Sequence, residues 1–282
     1  MLMYADDVVL MSHDPAELAN MLRVVDMVAS EFGMLINASK TEIQIHNFEG
    51  DLPPFNISTG SVTMANDFKY LGSWVQNDGS MDKEINVRRG RALGIFHSYE
   101  KVWAHKKLPV ASKMAIYNSI VLPHLLYGCE TWNCSAAQLV SIESVHSSCL
   151  RHILGVELHA RHSLKHIRHV CGSQPVSIMI AKRTFQWLGH VCRMQGSRLP
   201  KMAYDCVVEG PRSRGRPKGV FRHTYCELLK LTGETQPLVW LDKMFDCSQD
   251  RNKWRSMVHN FELREAPKLI PTRRSERIRN LK

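Results

Sequence analysis

The 282-residue chain is 44% apolar and 23% charged, a composition typical of a folded globular protein rather than a disordered one. Its longest apolar stretch, residues 115–129, is interrupted by polar residues and falls short of a membrane span, so no membrane partner is expected. The eight cysteines, with no signal-peptide pattern at the start of the chain, predict reduced thiols in an intracellular protein, nuclear or cytoplasmic.

The formal net charge of +10 is distributed unevenly along the chain. Residues 1–80 carry a net charge of −8, whereas residues 81–282 carry +18. An acidic start followed by a long basic region predicts metal chemistry beside a surface that binds a polyanion. The alternative is that the basic surface only aids solubility.

The chain begins MLMYADDVVLMS, in which two short apolar runs flank a polar break, and this pattern predicts a β-hairpin. Asp6 and Asp7 would repel each other at its tip, and a divalent cation between them would relieve that repulsion. Mg²⁺ is commonly bound by one or two carboxylates together with substrate phosphates, in enzymes that transfer phosphoryl groups. The alternative is a plain turn, because aspartate is a frequent turn residue.

The next segments predict a helix and further strands. HDPAELANMLRVVDMVASEFG predicts a helix that is capped by Asp14, has Pro15 at its first position and ends before Gly33. MLINASKTEIQIHNF predicts a strand, a polar turn and a second strand, and residues 51–67 predict a loop. FKYLGSWVQNDG predicts another hairpin arm, closed by the turn signal in its last three residues.

From residue 81 onwards the patterns predict helices. A basic amphipathic segment begins at Asp82, and residues 109–132 predict a helix that is kinked or ended at Pro123. Residues 135–154 and 177–194 predict two further helices with one apolar face each. A linker rich in glycine, proline and arginine follows at residues 209–219, before short helices and a basic tail. The predicted fold class is therefore α+β.

In this order, the motifs YADD, GMLINASKTE and FKYLGSWV resemble successive palm motifs of the reverse transcriptases of non-LTR (LINE-type) retrotransposons. LPHLLYGCETW, HSSCLRHILGV, FQWLGHVCRM, RSRGRPKGVFR and DRNKWR resemble the C-terminal region of RTE-like elements. The ordered set is far more specific than any single motif. It implies a partial reverse-transcriptase palm of β-hairpins and a helix over residues 1–80, a mostly helical thumb over 81–155, and a helical, basic nucleic-acid-binding region over 156–282.

The resemblance also implies roles for particular residues. Asp6 and Asp7 would bind Mg²⁺ as catalytic residues, and Lys40 would lie near the incoming triphosphate, although a solvated loop lysine is the alternative. The primer grip would consist of Phe68, Tyr70, Leu71 and Gly72, of which Phe68 and Leu71 are also candidates for sheet core. Nucleic-acid contacts would come from Arg88, Arg89, Arg91, Arg212, Arg214, Arg216 and Lys218. The implied partners are an RNA template and a DNA primer or target.

The main departure from the family pattern lies before the first hairpin. In this family the two metal ions are also held by an aspartate on an earlier palm strand, and only three residues precede Tyr4. We therefore expect a truncated RNA-directed DNA polymerase that is inactive alone. The alternatives are a catalytically dead nucleic-acid-binding protein, or a decaying remnant whose exposed sheet edges prevent stable folding. The sequence does not indicate the oligomeric state.

Two groups of cysteine and histidine residues were weighed as zinc ligands. Cys129, Cys134, His146 and Cys149 have the spacing C-x4-C-x11-H-x2-C, which is looser than that of usual structural zinc sites, so buried core thiols are favoured. A second group is interpreted as scattered surface histidines because it lacks tetrahedral spacing: His159, His162, His166, His169, Cys171, His190 and Cys192.

The sequence RGRP at residues 214–217 has the core of an AT-hook. Its two arginines could reach along a narrow A·T minor groove, could bind phosphates generally, or could belong to a solvated linker. Trp187, Trp240 and Trp254 could stack on bases, but buried helix anchors are the favoured interpretation.

Overall fold

The computed structural model describes residues 1–156, 162–206 and 244–260. The chain divides into two compact units, Met1–Glu84 and Ile85–Lys282. This division lies close to the predicted end of the palm region at residue 80, and the predicted boundary at 155–156 falls inside the second unit. Assignment of these regions to a palm, a thumb and a nucleic-acid-binding region stays a prediction. Among the described helices, none is both long and apolar enough to span a membrane.

The first unit, whose residues are all described, combines one complete helix with four two-stranded ladders and the first turn of a second helix. Three ladders are antiparallel hairpins, and the fourth pairs β3 with β6 in parallel. This mixture of helix and strand agrees with the predicted α+β class. The elements are β1 (Leu2–Tyr4), β2 (Asp7–Val9), α1 (Pro15–Glu31), β3 (Glu42–Ile43), β4 (Asn56–Ile57), β5 (Gly60–Ser61), β6 (Thr63–Met64), β7 (Asp67–Tyr70), β8 (Ser73–Gln76) and the start of α2 (Asp82–Ser98).

Helix α1 begins as predicted. The Asp14 carboxylate accepts the backbone N–H of Ala16 at 2.9 Å, and Pro15 occupies the first helical position. The Ser12 hydroxyl accepts the Asp14 N–H and donates to the Glu17 carboxylate, so Ser12 completes the capping arrangement. The helix packs its inner face on a small core formed by Leu22, Ile43, Phe55, Ile57 and Val62.

A buried carboxylate joins α1 to the turn between β4 and β5. Asp26 is 9% exposed, and its two oxygens accept the backbone N–H of Ser58 at 2.7 Å and the Ser58 hydroxyl at 2.9 Å. These two bonds satisfy a charge that would be costly to bury alone.

Two predictions for residues 34–67 are wrong. Residues 34–37 form no strand, because the Asn37 side chain accepts the Ser39 N–H at 2.9 Å and starts a 3₁₀ turn at Ala38–Lys40. Residues 51–67 are not a plain loop, because they contain β4, β5 and β6. Strands of two residues are too short to produce a visible alternation in the sequence.

The described part of the second unit, residues 85–156, 162–206 and 244–260, is helical and contains no strand. As predicted, the helix Ala136–Leu154 ends at Gly155, whose φ is +66°; the Ser135 and Gln138 side chains form a capping box at its start. After α2, the elements are α3 (Glu100–Trp103), α4 (Val110–Ile116), α5 (Leu122–Leu125), α6 (Ala136–Leu154), α7 (Leu164–Cys171), α8 (Val176–Cys192), α9 (Leu199–Asp205) and α10 (Arg251–His259).

The predicted interruption near Pro123 is confirmed. A π-helical turn, Tyr117–Val121, lies between α4 and α5, and Pro123 sits in the first turn of α5. Proline has no N–H to donate into the preceding turn, and the wider π turn accommodates the missing hydrogen bond. The Ser119 hydroxyl donates to the Ala115 carbonyl oxygen at 2.8 Å within this region.

A buried polar chain crosses the core of the second unit. The Tyr117 hydroxyl bonds His146 Nδ1 at 2.8 Å, and His146 Nε2 bonds the Ser173 hydroxyl at 3.1 Å. Tyr117 and His146 are fully buried, and burial lowers the pKa of His146 while it raises the pKa of Tyr117. The imidazole is therefore held neutral with both ring nitrogens engaged.

Helix α10 docks on α8 through one tryptophan. Trp254 is 3% exposed, and its indole N–H donates to the Phe185 carbonyl oxygen at 3.1 Å. Gly189 leaves the room for this ring, because a Cβ added there would lie 2.1 Å from Trp254 Nε1. Trp254 is therefore a buried helix anchor, as predicted; Trp187 is half-buried, and Trp240 lies outside the described residues.

Replacing Gly189 with alanine should destabilise the second unit by about 1–3 kcal/mol, because the new methyl group displaces the Trp254 ring. Urea denaturation followed by circular dichroism measures the change. Gly90→Ala is the matched control, since no atom lies within 4 Å of its added Cβ, and it should stabilise α2 by up to about 1 kcal/mol. Equal midpoints for the two variants would contradict the docking described above.

The pKa of His146 is lowered in the fold, so the unfolded chain takes up a proton first as pH falls. The stabilising contribution of the neutral imidazole is complete above about pH 6.5 and is lost as pH falls below that value. Denaturation midpoints measured from pH 7.5 to 5 should therefore decline less steeply for His146→Gln than for the wild type. Parallel pH profiles would show that His146 does not titrate on unfolding.

Candidate functional site

The first hairpin exposes two adjacent carboxylates. Strands β1 and β2 pair Leu2 with Val9 and Tyr4 with Asp7, which leaves Ala5 and Asp6 as a two-residue loop. Ala5 has φ +51°, and a positive φ at the first loop position is typical of the tight turns that fit twisted strands. Asp6 therefore lies in the loop and Asp7 at the start of β2, and both side chains are exposed.

The two carboxylates are available as oxygen ligands. Two exposed carboxylates with no ion-pair partner among the described residues can supply oxygen ligands to one Mg²⁺ ion. Throughout residues 1–156, 162–206 and 244–260, no group of three or more His, Cys, Asp or Glu side chains has metal-binding geometry. The described residues thus place two exposed carboxylates next to each other in the chain and do not complete a two-metal site.

Lys40 is not joined to the carboxylate pair. It ends the 3₁₀ turn that Asn37 caps, and its backbone N–H donates to the Asn37 carbonyl oxygen at 3.1 Å. Its side chain is exposed, and within the described ranges it forms no ion pair with Asp6 or Asp7. A role for Lys40 at a triphosphate stays a prediction.

The predicted primer-grip residues lie together on one hairpin. Strands β7 and β8 are joined by Leu71 and Gly72, with φ +47° and +88°, which is a type I′ loop. Phe68 and Tyr70 lie on the same face of β7, and their rings stack with centroids 6.4 Å apart. Both rings are half-buried, and Leu71 at the tip is 40% exposed. The closing turn is therefore at Leu71 and Gly72, and not at the predicted turn signal of residues 77–79.

The first turn of α2 holds the opposite face of this hairpin. Lys83 Nζ lies 2.6 Å from Asp67 Oδ2 and 3.8 Å from the centroid of the Trp74 ring. The Lys83 N–H donates to Gln76 Oε1 at 2.7 Å, and the Glu84 carboxylate accepts the Trp74 N–H at 2.8 Å. We call these contacts the α2 latch. The sequence did not predict the α2 latch. The only signal for it in the sequence is the charged triplet Asp-Lys-Glu at the start of α2.

The predicted arginine contacts divide into three groups. Arg88 is only 2% exposed and lies under the ring of Tyr127, so its assignment to a phosphate-binding surface is corrected. The reason is helical spacing, because Arg88 shares its face with the buried Ile85 and Ala92. Arg91 is exposed, and the half-buried Arg89 donates to the Asn86 side chain at 3.2 Å. The remaining predicted contacts lie outside the described residues: Arg212, Arg214, Arg216 and Lys218.

The cysteine and histidine spacing weighed for zinc does not form a site. Burial raises the pKa of the Cys129, Cys134 and Cys149 thiols to about 12, and both nitrogens of His146 are hydrogen-bonded to protein. Cys129, His146 and Cys149 are core groups, and Cys134 is half-buried. In the second group, His162, His166, His169 and His190 are exposed, Cys171 and Cys192 are buried, and His159 lies outside the described residues.

Comparisons with known proteins agree on a transposon origin. The chain is 28% identical, over 207 residues, to a transposon-derived protein of Caenorhabditis elegans, which covers 70% of this chain and 73% of that protein. It is 26% identical, over 116 residues, to a Drosophila melanogaster protein described as a probable RNA-directed DNA polymerase from the transposon X-element. That match covers 40% of this chain and 13% of the fly protein. No family model and no solved structure matches. The chain is thus related to transposon-derived proteins.

Removing the Lys83 side chain should loosen the β7–β8 hairpin. Lys83→Ala loses a partly exposed ion pair and a cation–π contact, which together contribute about 1 kcal/mol. Hydrogen exchange of the amides of residues 67–76, followed by mass spectrometry, should then speed up by about fivefold. Lys69→Ala is the matched control, because Lys69 is an exposed lysine on β7 and should leave the exchange unchanged. Equal exchange in both variants would contradict the α2 latch.

Proposed function

We propose that this chain is the C-terminal part of a non-LTR retrotransposon reverse transcriptase, an RNA-directed DNA polymerase. Its first unit would provide the metal-binding hairpin and the primer grip, and its helical unit would contact nucleic acid. The intact parent would add deoxynucleotides to a DNA 3′ end on an RNA template. The chain alone would bind nucleic acid without extending a primer.

The observation that carries this proposal is the pair of exposed carboxylates at a two-residue hairpin turn. Like charges at neighbouring positions repel, and nothing in a plain turn requires both. A bound Mg²⁺ would supply charge neutralisation for phosphate groups and orient an attacking oxygen. Asp6 and Asp7 would provide its protein ligands, and the exposed position of the turn leaves room for a phosphate beside the ion.

The second hairpin supports the same assignment. The face opposite the α2 latch carries two stacked, half-buried aromatic rings, Phe68 and Tyr70, whose flat surfaces suit contact with the sugar and base of a primer end. The α2 latch holds the other face through Lys83 and Glu84, so the hairpin is fixed by contacts within the first unit. The fly relative described as a probable RNA-directed DNA polymerase is consistent with this interpretation.

We expect the chain alone to be inactive because too few of the described side chains are placed to bind metal ions. A two-metal centre needs a carboxylate that bridges both ions, and no third acidic, histidine or cysteine ligand joins Asp6 and Asp7 among the described residues. The second candidate function, a nucleic-acid-binding protein without catalysis, is favoured by the net charge of +18 over residues 81–282.

Manganese, which can replace magnesium in carboxylate sites, tests the metal hairpin. Added Mn²⁺ should broaden the NMR amide signals of residues 4–9 in the wild type, through its unpaired electrons. The double variant Asp6→Asn, Asp7→Asn should abolish this broadening. Glu49→Gln, which changes an exposed carboxylate elsewhere in the first unit, should preserve it. Broadening that survives the double substitution would exclude the hairpin as the metal site.

Primer extension tests whether the chain binds nucleic acid without extending a primer, as proposed, in the same preparation. With Mg²⁺, an RNA template and a DNA primer, the wild-type chain should shift the duplex in a gel and incorporate no nucleotide. The duplex shift should weaken steeply as salt rises, because cation–phosphate contacts release counterions. Incorporation that disappears in Asp6→Asn would overturn the proposed inactivity, whereas the absence of any shift at low salt would remove nucleic-acid binding.

A further inference from the structure

His162 and His166 place two imidazole rings next to each other at the start of α7. The ring centroids are 5.9 Å apart, and the ring planes differ by 23°. This separation lies within the range of aromatic pairs that contact each other, so the two rings hold neighbouring positions. His162 precedes the capping residue Ser163, and His166 belongs to the first turn of the helix. The two histidines are therefore four residues apart, the spacing that brings side chains together on one face of a helix.

Hydrogen bonds fix the backbone on both sides of Ser163. Arg151 of α6 donates from Nη2 to the His162 carbonyl oxygen at 3.1 Å, which ties the residue before the helix to the neighbouring helix. The Ser163 hydroxyl accepts the His166 N–H at 3.2 Å and caps α7. The backbone of both histidines is therefore ordered before any ligand binds, and a ligand loses affinity only to the ordering of the two side chains.

Both rings are available as metal ligands. His162 and His166 are exposed, and within residues 1–156, 162–206 and 244–260 their ring nitrogens form no hydrogen bond or ion pair. The buried His146 differs, because the Tyr117 and Ser173 hydroxyls engage both of its nitrogens. A neutral imidazole has one nitrogen with a lone pair, and that lone pair is what a transition metal ion binds.

The separation of the two rings suits one shared metal ion. Zinc–imidazole bonds are about 2.0–2.1 Å long, which places two ring centroids about 5 Å apart around a tetrahedral ion. The observed 5.9 Å is longer by less than 1 Å, and rotation of the exposed side chains can close that gap. Two protein ligands leave the other positions of the ion open to water or to an anion.

The chemistry of the two donors selects the class of ion. Imidazole suits Zn²⁺, Cu²⁺ and Ni²⁺, whereas Mg²⁺ and Ca²⁺ take oxygen ligands. Among the first three, Zn²⁺ has no geometric preference from its d-electrons, so it adapts best to an incomplete set of protein ligands. Arg151 is a permanent cation beside His162, and its charge favours a zinc ion that keeps an anionic ligand, such as chloride or a phosphate oxygen.

We propose that His162 and His166, in the second unit, form a two-histidine site for Zn²⁺. The proposal does not depend on the proposed polymerase function, because neither histidine belongs to the carboxylate pair or the primer grip. Its distinguishing property is that the two rings act together. Because both rings bind the same ion, removal of either one weakens binding at the other.

Protection from diethyl pyrocarbonate, which modifies unprotonated ring nitrogens, tests the site on the full chain. Mass spectrometry of the digested protein reports the modification of each histidine separately. In the wild type, Zn²⁺ should protect His162 and His166 at one concentration, about tenfold below the concentration that protects His190, because two linked ligands bind one ion more tightly than a single ring. His190 is a suitable internal reference, since it is exposed and its ring neighbour is Trp187. Mg²⁺ should protect neither ring of the pair.

Single variants show whether the two rings act together. His166→Gln should raise the Zn²⁺ concentration that protects His162 by about tenfold, and His162→Gln should do the same for His166. His169→Gln is the matched control, because it removes an exposed histidine of the same helix and should leave the protection of both rings unchanged. Circular dichroism verifies that the three variants are folded.

Several results would overturn the site. Protection of His162 in His166→Gln at the wild-type Zn²⁺ concentration would show that the rings bind independently. Loss of protection in His169→Gln would assign the ion to a different set of ligands. Protection by inorganic phosphate in the absence of Zn²⁺, or by Zn²⁺ only at the concentration that protects His190, would show that the pair does not share a metal ion.

Discussion

Each of the two hairpins of the proposed site is closed by a loop of only two residues, and a loop this short restricts the backbone conformation at both tips. Each loop needs a positive φ, and in each case a residue with a side chain adopts it: Ala5 in the first hairpin and Leu71 in the second. Such conformations are strained for residues other than glycine and persist only where surrounding contacts fix them. For the second hairpin those contacts are the α2 latch, in which Lys83 and Glu84 hold the strands from one side. Strain at a tip that is fixed at its base is typical of a loop that contacts a ligand.

The acidic start and the basic remainder of the chain answer different chemical requirements. Asp6 and Asp7 attract cations and repel phosphates, so a phosphate can approach them only when a divalent ion lies between. The basic region would attract the proposed polyanion at a distance, and salt would weaken that attraction. The proposed function needs both parts. The carboxylates would bind the metal ion, and the basic side chains would bind the nucleic acid on which that ion acts.

Features set by neighbouring residues could be predicted from the sequence, and features set by distant residues could not. Asp14, Pro15 and the Ser135–Gln138 capping box act within one helical turn, so their sequence signals are complete. The π-helical turn before Pro123 follows from one missing N–H. In contrast, β3 pairs with β6 about twenty residues away, and its two-residue strands have no readable period. The carboxylate pair was also predictable, because its two residues are adjacent, whereas the latch joins β7, β8 and α2 through side chains that no periodicity marks.

The basic composition of α2 was read correctly from the sequence, but it led to a wrong assignment for one of the three arginines of this helix. The basic character of the segment predicted a phosphate-binding face, but helical geometry separates its members: Arg88 points toward the core with Ile85, and Arg91 remains in solvent. A buried guanidinium keeps its charge, because arginine does not deprotonate in proteins, and it therefore needs a partner that tolerates a cation. The Tyr127 ring is such a partner, at 4.4 Å. The arginine that was expected to contact nucleic acid directly instead is buried beside the Tyr127 ring.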